Sequence, residues 1–145
     1  MAKVAVTRGS WEVVNAQMAL HYNLGFLFFI GLYDTPIERH LYAVNIHYPG
    51  EIRRLTNLGY SYTAAFNSDC SMVILTYSST KEIPICQLFS ISYTSTEISG
   101  IVFEPITYLV SRPSKKISKG SPMFKILVTS IYSVALVLSG HLSRD

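Results

Sequence analysis

Residues 34–42, with the sequence DTPIERHLY, hold two carboxylates, a guanidinium and an imidazole within nine positions. Imidazoles and carboxylates are the groups that general acid–base catalysis uses most often. Asp34, Glu38, Arg39 and His40 are therefore the first candidates for a catalytic cluster. The same stretch also suits the turn of a β-hairpin, so the flanking elements decide between the two interpretations.

The flanking sequence favours the hairpin. Residues 26–33, FLFFIGLY, form a short apolar run that suits a buried strand, and residues 40–46, HLYAVNI, alternate as a second strand. Between them, Asp34 can accept local backbone N–H groups, while Pro36 fixes φ and withholds a donor. We therefore interpret the stretch as a turn.

The strand alternation places Glu38 and His40 on one face and Arg39 on the other. Because a surface turn is solvated, we expect neither carboxylate, Asp34 or Glu38, to shift its pKa. His40 begins a strand, and we expect it to pack or to hydrogen-bond rather than to catalyse.

The sequence offers no other catalytic group. A serine nucleophile of the hydrolase type needs the Gly-x-Ser-x-Gly elbow, and no serine of the chain has that spacing. The histidines are consequently without a nucleophile to serve: His21, His40, His47 and His141. Cys70 and Cys86 have no electropositive neighbours that would make them reactive. We assign no catalytic residue.

Metal, cofactor and nucleic-acid sites are not indicated either. No Cys-x-x-Cys or His-x-x-x-His spacing is present, and the isolated glycines form no phosphate-binding loop. The net charge is only +3, and the basic stretch at residues 112–119 lacks interleaved aromatic residues. We therefore expect no cofactor, no metal and no nucleic-acid partner.

Composition points to a folded, strand-rich chain. The 145 residues suit one domain, and 49% hydrophobic against 14% charged residues is too apolar for disorder. Aromatic and β-branched residues, among them ten tyrosines, favour strands. The N-terminus has no apolar run of signal-peptide length.

A hairpin pattern repeats along the chain. Residues 71–91 align with residues 26–46 at an offset of 71 − 26 = 45, and the apolar runs of the two stretches coincide. A period of this length with several short strands is typical of a β-propeller blade, and a β-sandwich is the alternative. Hairpin pairing centred near residue 81 places Cys86 opposite Thr76 and Cys70 opposite Ser92, out of reach of a disulfide. Free thiols indicate a reducing compartment.

The character of the sequence changes after Ser92. Residues 93–122 are Ser/Thr-rich and then basic, which predicts a linker. Residues 123–145 are an apolar C-terminal segment in which residues 123–142 reach the length of a membrane helix. Lys125, several hydroxyl residues and many β-branched positions fit a strand-loop-strand segment equally well. A third interpretation is that the last 50 or so residues carry no selected fold.

Four collinear stretches resemble a known family: VTRGSWEV, YDTPIERHLYAVN, PGEIRRLTNLGYS and SMVILTYSSTKEIP, at residues 6–13, 33–45, 49–61 and 71–84. They are similar to the end of the β-propeller domain in the dipeptidyl peptidase IV group of the prolyl oligopeptidase family, nearest to the branch of dipeptidyl peptidases 8 and 9. The resemblance covers about residues 4–92. Tyr62 departs from the pattern, which has His at that place.

The resemblance implies a propeller that caps a serine hydrolase releasing N-terminal dipeptides, with Pro or Ala preferred as the second residue. The catalytic Ser, Asp and His of the family, and the propeller acids that hold the substrate amine, have no counterpart here, so no site residue is carried over. Trp11 is expected in the core of a blade.

Together these observations predict a mainly β chain, a fragment of a β-propeller of about two blades at residues 1–92, followed by the linker 93–122 and the segment 123–145. The expected function is that of a non-catalytic propeller fragment of a dipeptidyl-peptidase-like enzyme, inactive alone, with peptide substrates bound only by the full-length parent. The alternative is a non-catalytic interaction or membrane-tethered protein. We expect a cytoplasmic location, or a membrane one through residues 123–142. We also expect self-association or aggregation, because two blades outside a closed ring would leave apolar faces bare.

Overall fold

The structure, a computed structural model, describes residue 3 and residues 5–110, and these residues form an almost purely β architecture. Short apolar or alternating runs between turn residues produce the strands, as their spacing predicts. The elements are β1 (Val13–His21), β2 (Phe26–Gly31), β3 (His40–Asn45), β4 (Ile52–Arg54), β5 (Ser61–Phe66), β6 (Met72–Ser78), β7 (Ile85–Tyr93), a 3₁₀ turn (Ile98–Gly100) and β8 (Ile101–Val110).

The strands form two antiparallel sheets of four strands each. Sheet A has the order β1-β2-β3-β4 and sheet B the order β5-β6-β7-β8, so every strand pairs with its neighbour in sequence. The repeat found in the sequence is visible here, since β3 begins at residue 40 and β7 at residue 85, an offset of 45. The prediction of a mainly β, blade-like chain is confirmed.

The register of the second hairpin is also confirmed. Thr76 pairs with Cys86 and Met72 with Ser90, so facing positions sum to 162 as the sequence predicts. The predicted pairing of Cys70 with Ser92 is wrong: Cys70 lies outside this ladder, in the turn before β6, because its φ of 55° ends the extended chain there, and its carbonyl oxygen accepts a hydrogen bond from the Tyr93 hydroxyl at 2.6 Å. Both thiols are free and buried.

The two sheets pack face to face over a shared apolar layer, the inter-sheet core. Alternation brings every second residue of each strand into this layer, which is why both sheets contribute to it. Its fully or nearly buried members are Phe26, Phe28, Ile30, Leu41 and Ala43 from sheet A, with Tyr62, Val73, Leu75, Ile91 and Ile101 from sheet B.

The intervening residues form smaller clusters on the outer faces. On sheet A, Phe29 and Tyr42 are buried beneath Trp11, whose ring stacks on that of Phe29 at 5.8 Å. On sheet B, Ile74 and Cys86 are buried. Trp11 therefore packs where the resemblance places it, and the expectation that the outer faces are bare is wrong for these four residues.

Hydrogen bonds join the sheets at both ends. Arg53 of β4 donates to the carbonyl oxygens of Ile98 and Ile101, at 2.8 and 3.0 Å. At the other end the Tyr62 N–H donates to the Arg39 carbonyl at 2.8 Å. The bonds from the charged Arg53 side chain contribute about 1.5–3 kcal/mol each, and together with the backbone bond they help fix the angle between the sheets.

The predicted linker is corrected by the structure. Tyr93 is the last residue of β7, and β8 pairs with β7 along Ile101–Val110, so sheet B continues well past Ser92. The physical reason is that β8 turns one apolar side, including Ile101 and Phe103, toward the inter-sheet core. Residues 111–145, with the rest of the predicted linker and the apolar segment 123–142, lie outside the described residues.

Within the described residues, no helix is long and apolar enough to cross a membrane.

Candidate functional site

The four polar residues of the opening cluster lie at the junction between β2, β3 and the loop that leads from β4 to β5. The turn itself is held by Thr35, whose hydroxyl oxygen accepts the N–H groups of Ile37 and Glu38 at 3.3 and 2.9 Å. The sequence pointed to Asp34 for that role. Thr35 performs it instead, because the Asp34 carboxylate is engaged elsewhere.

Asp34 bonds outward from the turn. Its Oδ2 accepts the Tyr42 hydroxyl at 2.9 Å and pairs with the Arg54 guanidinium at 3.1 Å. Burial raises the pKa of Tyr42 to about 12, so this phenol remains a neutral donor. Asp34 therefore ties the hairpin turn to strands β3 and β4.

Glu38 and His40 share a face, as the alternation predicts, and they meet a third residue, Thr56. His40 Nε2 lies 3.0 Å from Glu38 Oε2, and His40 Nδ1 lies 3.0 Å from Thr56 Oγ1. Glu38 Oε2 also accepts the Gly59 N–H at 3.1 Å, and Thr56 Oγ1 accepts the Leu41 N–H at 3.2 Å. We call this set the Glu38–His40–Thr56 network.

The network fixes the tautomer of His40. An ionised carboxylate can only accept hydrogen bonds, so His40 Nε2 must carry a hydrogen and donate it in the hydrogen bond to Glu38. In the neutral ring Nδ1 is then an acceptor, and the Thr56 hydroxyl donates to it while accepting from Leu41 N–H. Every polar group of the network has a partner in this arrangement.

A carboxylate, an imidazole and a hydroxyl in series are also the parts of a nucleophilic triad. The surroundings exclude that use here. His40 is 0% and Thr56 7% exposed, and the Thr56 oxygen already receives the Leu41 N–H, so no substrate carbonyl can reach it. The network fastens β3 to the β4–β5 loop, and the interpretation of DTPIERHLY as a turn agrees with this geometry.

One expectation about this turn is wrong. The hydrogen bond from the Gly59 N–H, followed by that from His40, holds the pKa of Glu38 below its usual value. The sequence could not indicate this shift, because Gly59 is 21 residues away along the chain. Partners that favour the charged form of a carboxylate lower its pKa even when it is close to solvent.

The cysteines have the character of packing residues. Burial raises the pKa of the Cys70 thiol to about 11, and burial also raises the pKa of the Cys86 thiol. Cys70 belongs to the inter-sheet core and Cys86 to the outer cluster of sheet B, so the sheet separates them. Raised pKa values disfavour the reactive thiolate.

Among the described residues, no group of three or more His, Cys, Asp or Glu side chains is placed to hold a metal ion. Two clefts lie between the sheets. One, of about 480 Å³, is polar and includes Glu51 and Glu97. The other, of about 370 Å³, is rich in aromatic rings and includes Tyr60, Tyr77 and Gln87.

Sequence reasoning missed Thr56 and Gln87. Thr56 is brought to His40 from 16 positions away, and Gln87 is an amide within an apolar strand. An amide between the apolar pairs Ile85–Cys86 and Leu88–Phe89 was the available signal for Gln87.

Comparisons with known proteins agree with this architecture. The sequence profile of the family described as the dipeptidyl peptidase IV (DPP IV) N-terminal region matches residues 2–84, more than half of the chain. The matched residues include all of sheet A. In sheet B they include strands β5 and β6 and the turn that follows β6, up to residue 84.

Individual relatives have names that agree with this family match. Human dipeptidyl peptidase 8 is 33% identical over 93 residues, which cover 62% of this chain and 10% of that protein. Dipeptidyl aminopeptidase B of Saccharomyces cerevisiae is 27% identical over 124 residues, which cover 84% of this chain and 13% of the relative. A probable dipeptidyl-aminopeptidase B of Aspergillus niger is 35% identical over 77 residues, covering 51% of this chain and 8% of the relative. The chain spans about a tenth of the length of the curated relatives it matches.

Proposed function

Because the chain belongs to the family of the dipeptidyl peptidase IV N-terminal region, we propose that its two sheets serve as two blades of the β-propeller of a dipeptidyl-peptidase-like serine exopeptidase. In this role they supply packing and shape, and the residues that cleave peptides lie elsewhere in the parent enzyme. The parent would release N-terminal dipeptides, and peptide substrates would bind only to the complete enzyme.

The observation that best supports a non-catalytic role is the Glu38–His40–Thr56 network. Its geometry is the nearest approach to catalytic machinery among the described residues, yet its hydroxyl is buried and its hydrogen-bonding capacity is already used. A nucleophile must be open to its substrate and within hydrogen-bond reach of an available base.

An activity assay tests this proposal. The purified 145-residue chain is incubated with a Gly-Pro chromogenic substrate and, separately, with a fluorophosphonate probe that labels activated serines. Full-length dipeptidyl peptidase 8 is the positive control. We expect no release of chromophore and no labelling. Stoichiometric labelling of any serine or threonine would refute the non-catalytic assignment.

We also propose that the protein resides in a reducing compartment, the cytoplasm. Two free thiols, buried in different clusters, support this location. Fractionation of cells that express the tagged chain tests it, and recovery in a carbonate-resistant membrane pellet would contradict it.

A further inference from the structure

The outer face of sheet B, which is turned away from sheet A, holds two side chains that are buried more deeply than sheet B alone explains. Cys86 is 0% and Ile74 3% exposed. The apolar side chains that pack against them come from sheet B itself, namely Ala65, Leu88 and Leu109. Side chains of a strand stand roughly perpendicular to the sheet, so neighbours in the same sheet flank these two residues without covering them. We call the five side chains the outer cluster of sheet B.

Sheet A shows how such a face is covered. Phe29 and Tyr42 on its outer face are 2% and 0% exposed, and Val6 and Trp11 pack against them from the chain that precedes β1. Among the described residues, no apolar side chain from outside the strands packs against the outer cluster of sheet B. This comparison indicates that the cover of sheet B comes from chain outside the described residues.

The cover is local and lies where the chain leaves sheet B. Thr63 on β5 and Ser92 on β7 belong to the same face and are exposed. Val110, the last residue of β8, pairs with Cys86, so the chain that follows β8 starts beside the outer cluster. Residues 1–4 instead precede the stretch that packs on sheet A. The chain after β8 is therefore the source of the cover.

Only one part of the chain after β8 has a composition that suits this place. Residues 111–122 hold four basic residues, and Ile117 is their only aliphatic residue, whereas residues 123–142 are apolar with Lys125 as their only Lys, Arg, Asp or Glu. Burying apolar surface stabilises a fold, and burying charge destabilises it. Twelve residues, 111–122, span up to about 40 Å when extended, so residues 123–142 can reach back over the face.

We propose that the apolar segment at residues 123–142 of the same chain packs on the outer face of sheet B and covers Ile74 and Cys86. In a closed propeller a neighbouring blade would cover this face, and the segment takes that place in the isolated chain. The proposal goes beyond the peptidase function proposed above and needs none of its chemistry, so the failure of one leaves the other standing.

The thiol of Cys86 reports on its own cover. The full 145-residue chain with Cys70→Ala retains Cys86 as its only thiol, whose rate of reaction with Ellman's reagent is measured. The double variant Val134→Glu, Leu136→Glu places charges in the segment, and Ser114→Glu, Ser118→Glu is the matched control in the polar stretch. We expect the segment variant to react at least about 10-fold faster, because the thiol becomes accessible, and the control to react at the original rate. Equal rates in the two variants would overturn the proposal.

The single tryptophan shows whether a variant remains folded. Trp11 stacks on Phe29 on the outer face of sheet A, on the opposite side of the molecule from Cys86. A faster thiol with unchanged Trp11 emission is the expected result, since only the cover of sheet B is lost. A faster thiol together with a red-shifted emission would show unfolding of the whole molecule and would contradict a local cover.

Disulfide trapping identifies the occupant of the face. In the Cys70→Ala chain, each of residues 124–138 is replaced singly by cysteine, and the dilute protein is oxidised with diamide. A disulfide requires Cα atoms within about 7 Å of each other. At least one position of the segment should therefore bond to Cys86 within one chain, and Lys116→Cys, which is nearer in sequence, should not.

Three results of the trapping experiment would refute the proposal. The first is the absence of any disulfide between the segment and Cys86. The second is a set of disulfides that are all intermolecular, which would assign the face to a second copy of the chain. The third is flotation of the chain with phosphatidylcholine vesicles, which would place residues 123–142 in a membrane.

Discussion

Replacing Thr56 by valine tests whether the Glu38–His40–Thr56 network holds the β4–β5 loop. Valine has nearly the shape of threonine and lacks the hydroxyl. The change leaves the Leu41 N–H and the His40 Nδ1 without their partner in a buried place, since His40 is 0% and Thr56 7% exposed. We expect a marked loss of stability with the fold retained.

The magnitude follows from the two groups that lose their partner. A buried donor or acceptor left unsatisfied costs about 1–3 kcal/mol, and the methyl group that replaces the hydroxyl recovers part of this through burial. The expected loss for Thr56→Val is about 2–4 kcal/mol. For a small domain whose urea m-value is about 2 kcal/mol/M, the unfolding midpoint should fall by about 1–2 M.

Pulse proteolysis across a urea series measures these midpoints and tolerates a solubilising fusion partner. Thr63→Val on β5 is the matched control, because Thr63 is exposed and the substitution makes the same chemical change at the surface. The midpoint of Thr63→Val should correspond to a free energy of unfolding within about 0.5 kcal/mol of the wild-type value. A Thr56→Val midpoint no lower than that of Thr63→Val would refute the structural role of the network.

Three further predictions follow from the same structure. The pKa of Glu38 is lowered in the folded chain, so its charge stabilises the fold above the unfolded-state pKa; the urea midpoints of wild type and Glu38→Gln should differ at pH 7 and converge as the pH falls through the folded pKa, and a constant difference would contradict this. Burial raises the pKa of Cys70 to about 11 and that of Cys86 in the same direction, so Ellman's reagent at pH 8 should react slowly with the native chain and with two thiols after unfolding without reductant. Gly9→Ala should destabilise by about 1–3 kcal/mol and red-shift the emission of the single tryptophan, because φ is +143° and the new Cβ would lie 2.5 Å from the Trp11 ring; Gly50→Ala, with φ +127° and open space, should leave that emission unchanged.

The central hairpins could be predicted from the sequence because their strands are apolar on both faces. Such strands lie inside a sheet and need no outside information to be recognised. The pairing of Thr76 with Cys86 followed from the symmetry of the turn alone. The outer strands carry weaker signals, and the short run SYTAAF did not indicate strand β5.

Strand β8 was mistaken for a linker for a physical reason. It is an edge strand among the described residues, so Pro105 can sit in it, and Glu104, Pro105 and Thr107 are exposed. Only one side of an edge strand at the surface needs to be apolar. Composition averaged over residues 93–122 hides that half-apolar pattern.

The polar network was partly predictable. Alternation placed Glu38 and His40 on one face, as observed at 3.0 Å. Thr56 and Gly59 reach them only through the packing of the β4–β5 loop, which no local pattern encodes. The lowered pKa of Glu38 could not be predicted for the same reason, since its largest cause is the hydrogen bond from the Gly59 N–H.

Self-association stays a prediction, but the structure changes its physical basis. The sequence argument rested on bare outer faces, whereas Phe29 and Tyr42 are buried beneath Trp11 on sheet A. Among the described residues, part of the apolar surface that stays exposed lies along β8, at Val102, Ile106 and Tyr108, and β8 is there the last strand of sheet B. Edge strands of this kind pair with other chains more readily than covered faces do. We therefore expect chains to associate by pairing of another chain with strand β8.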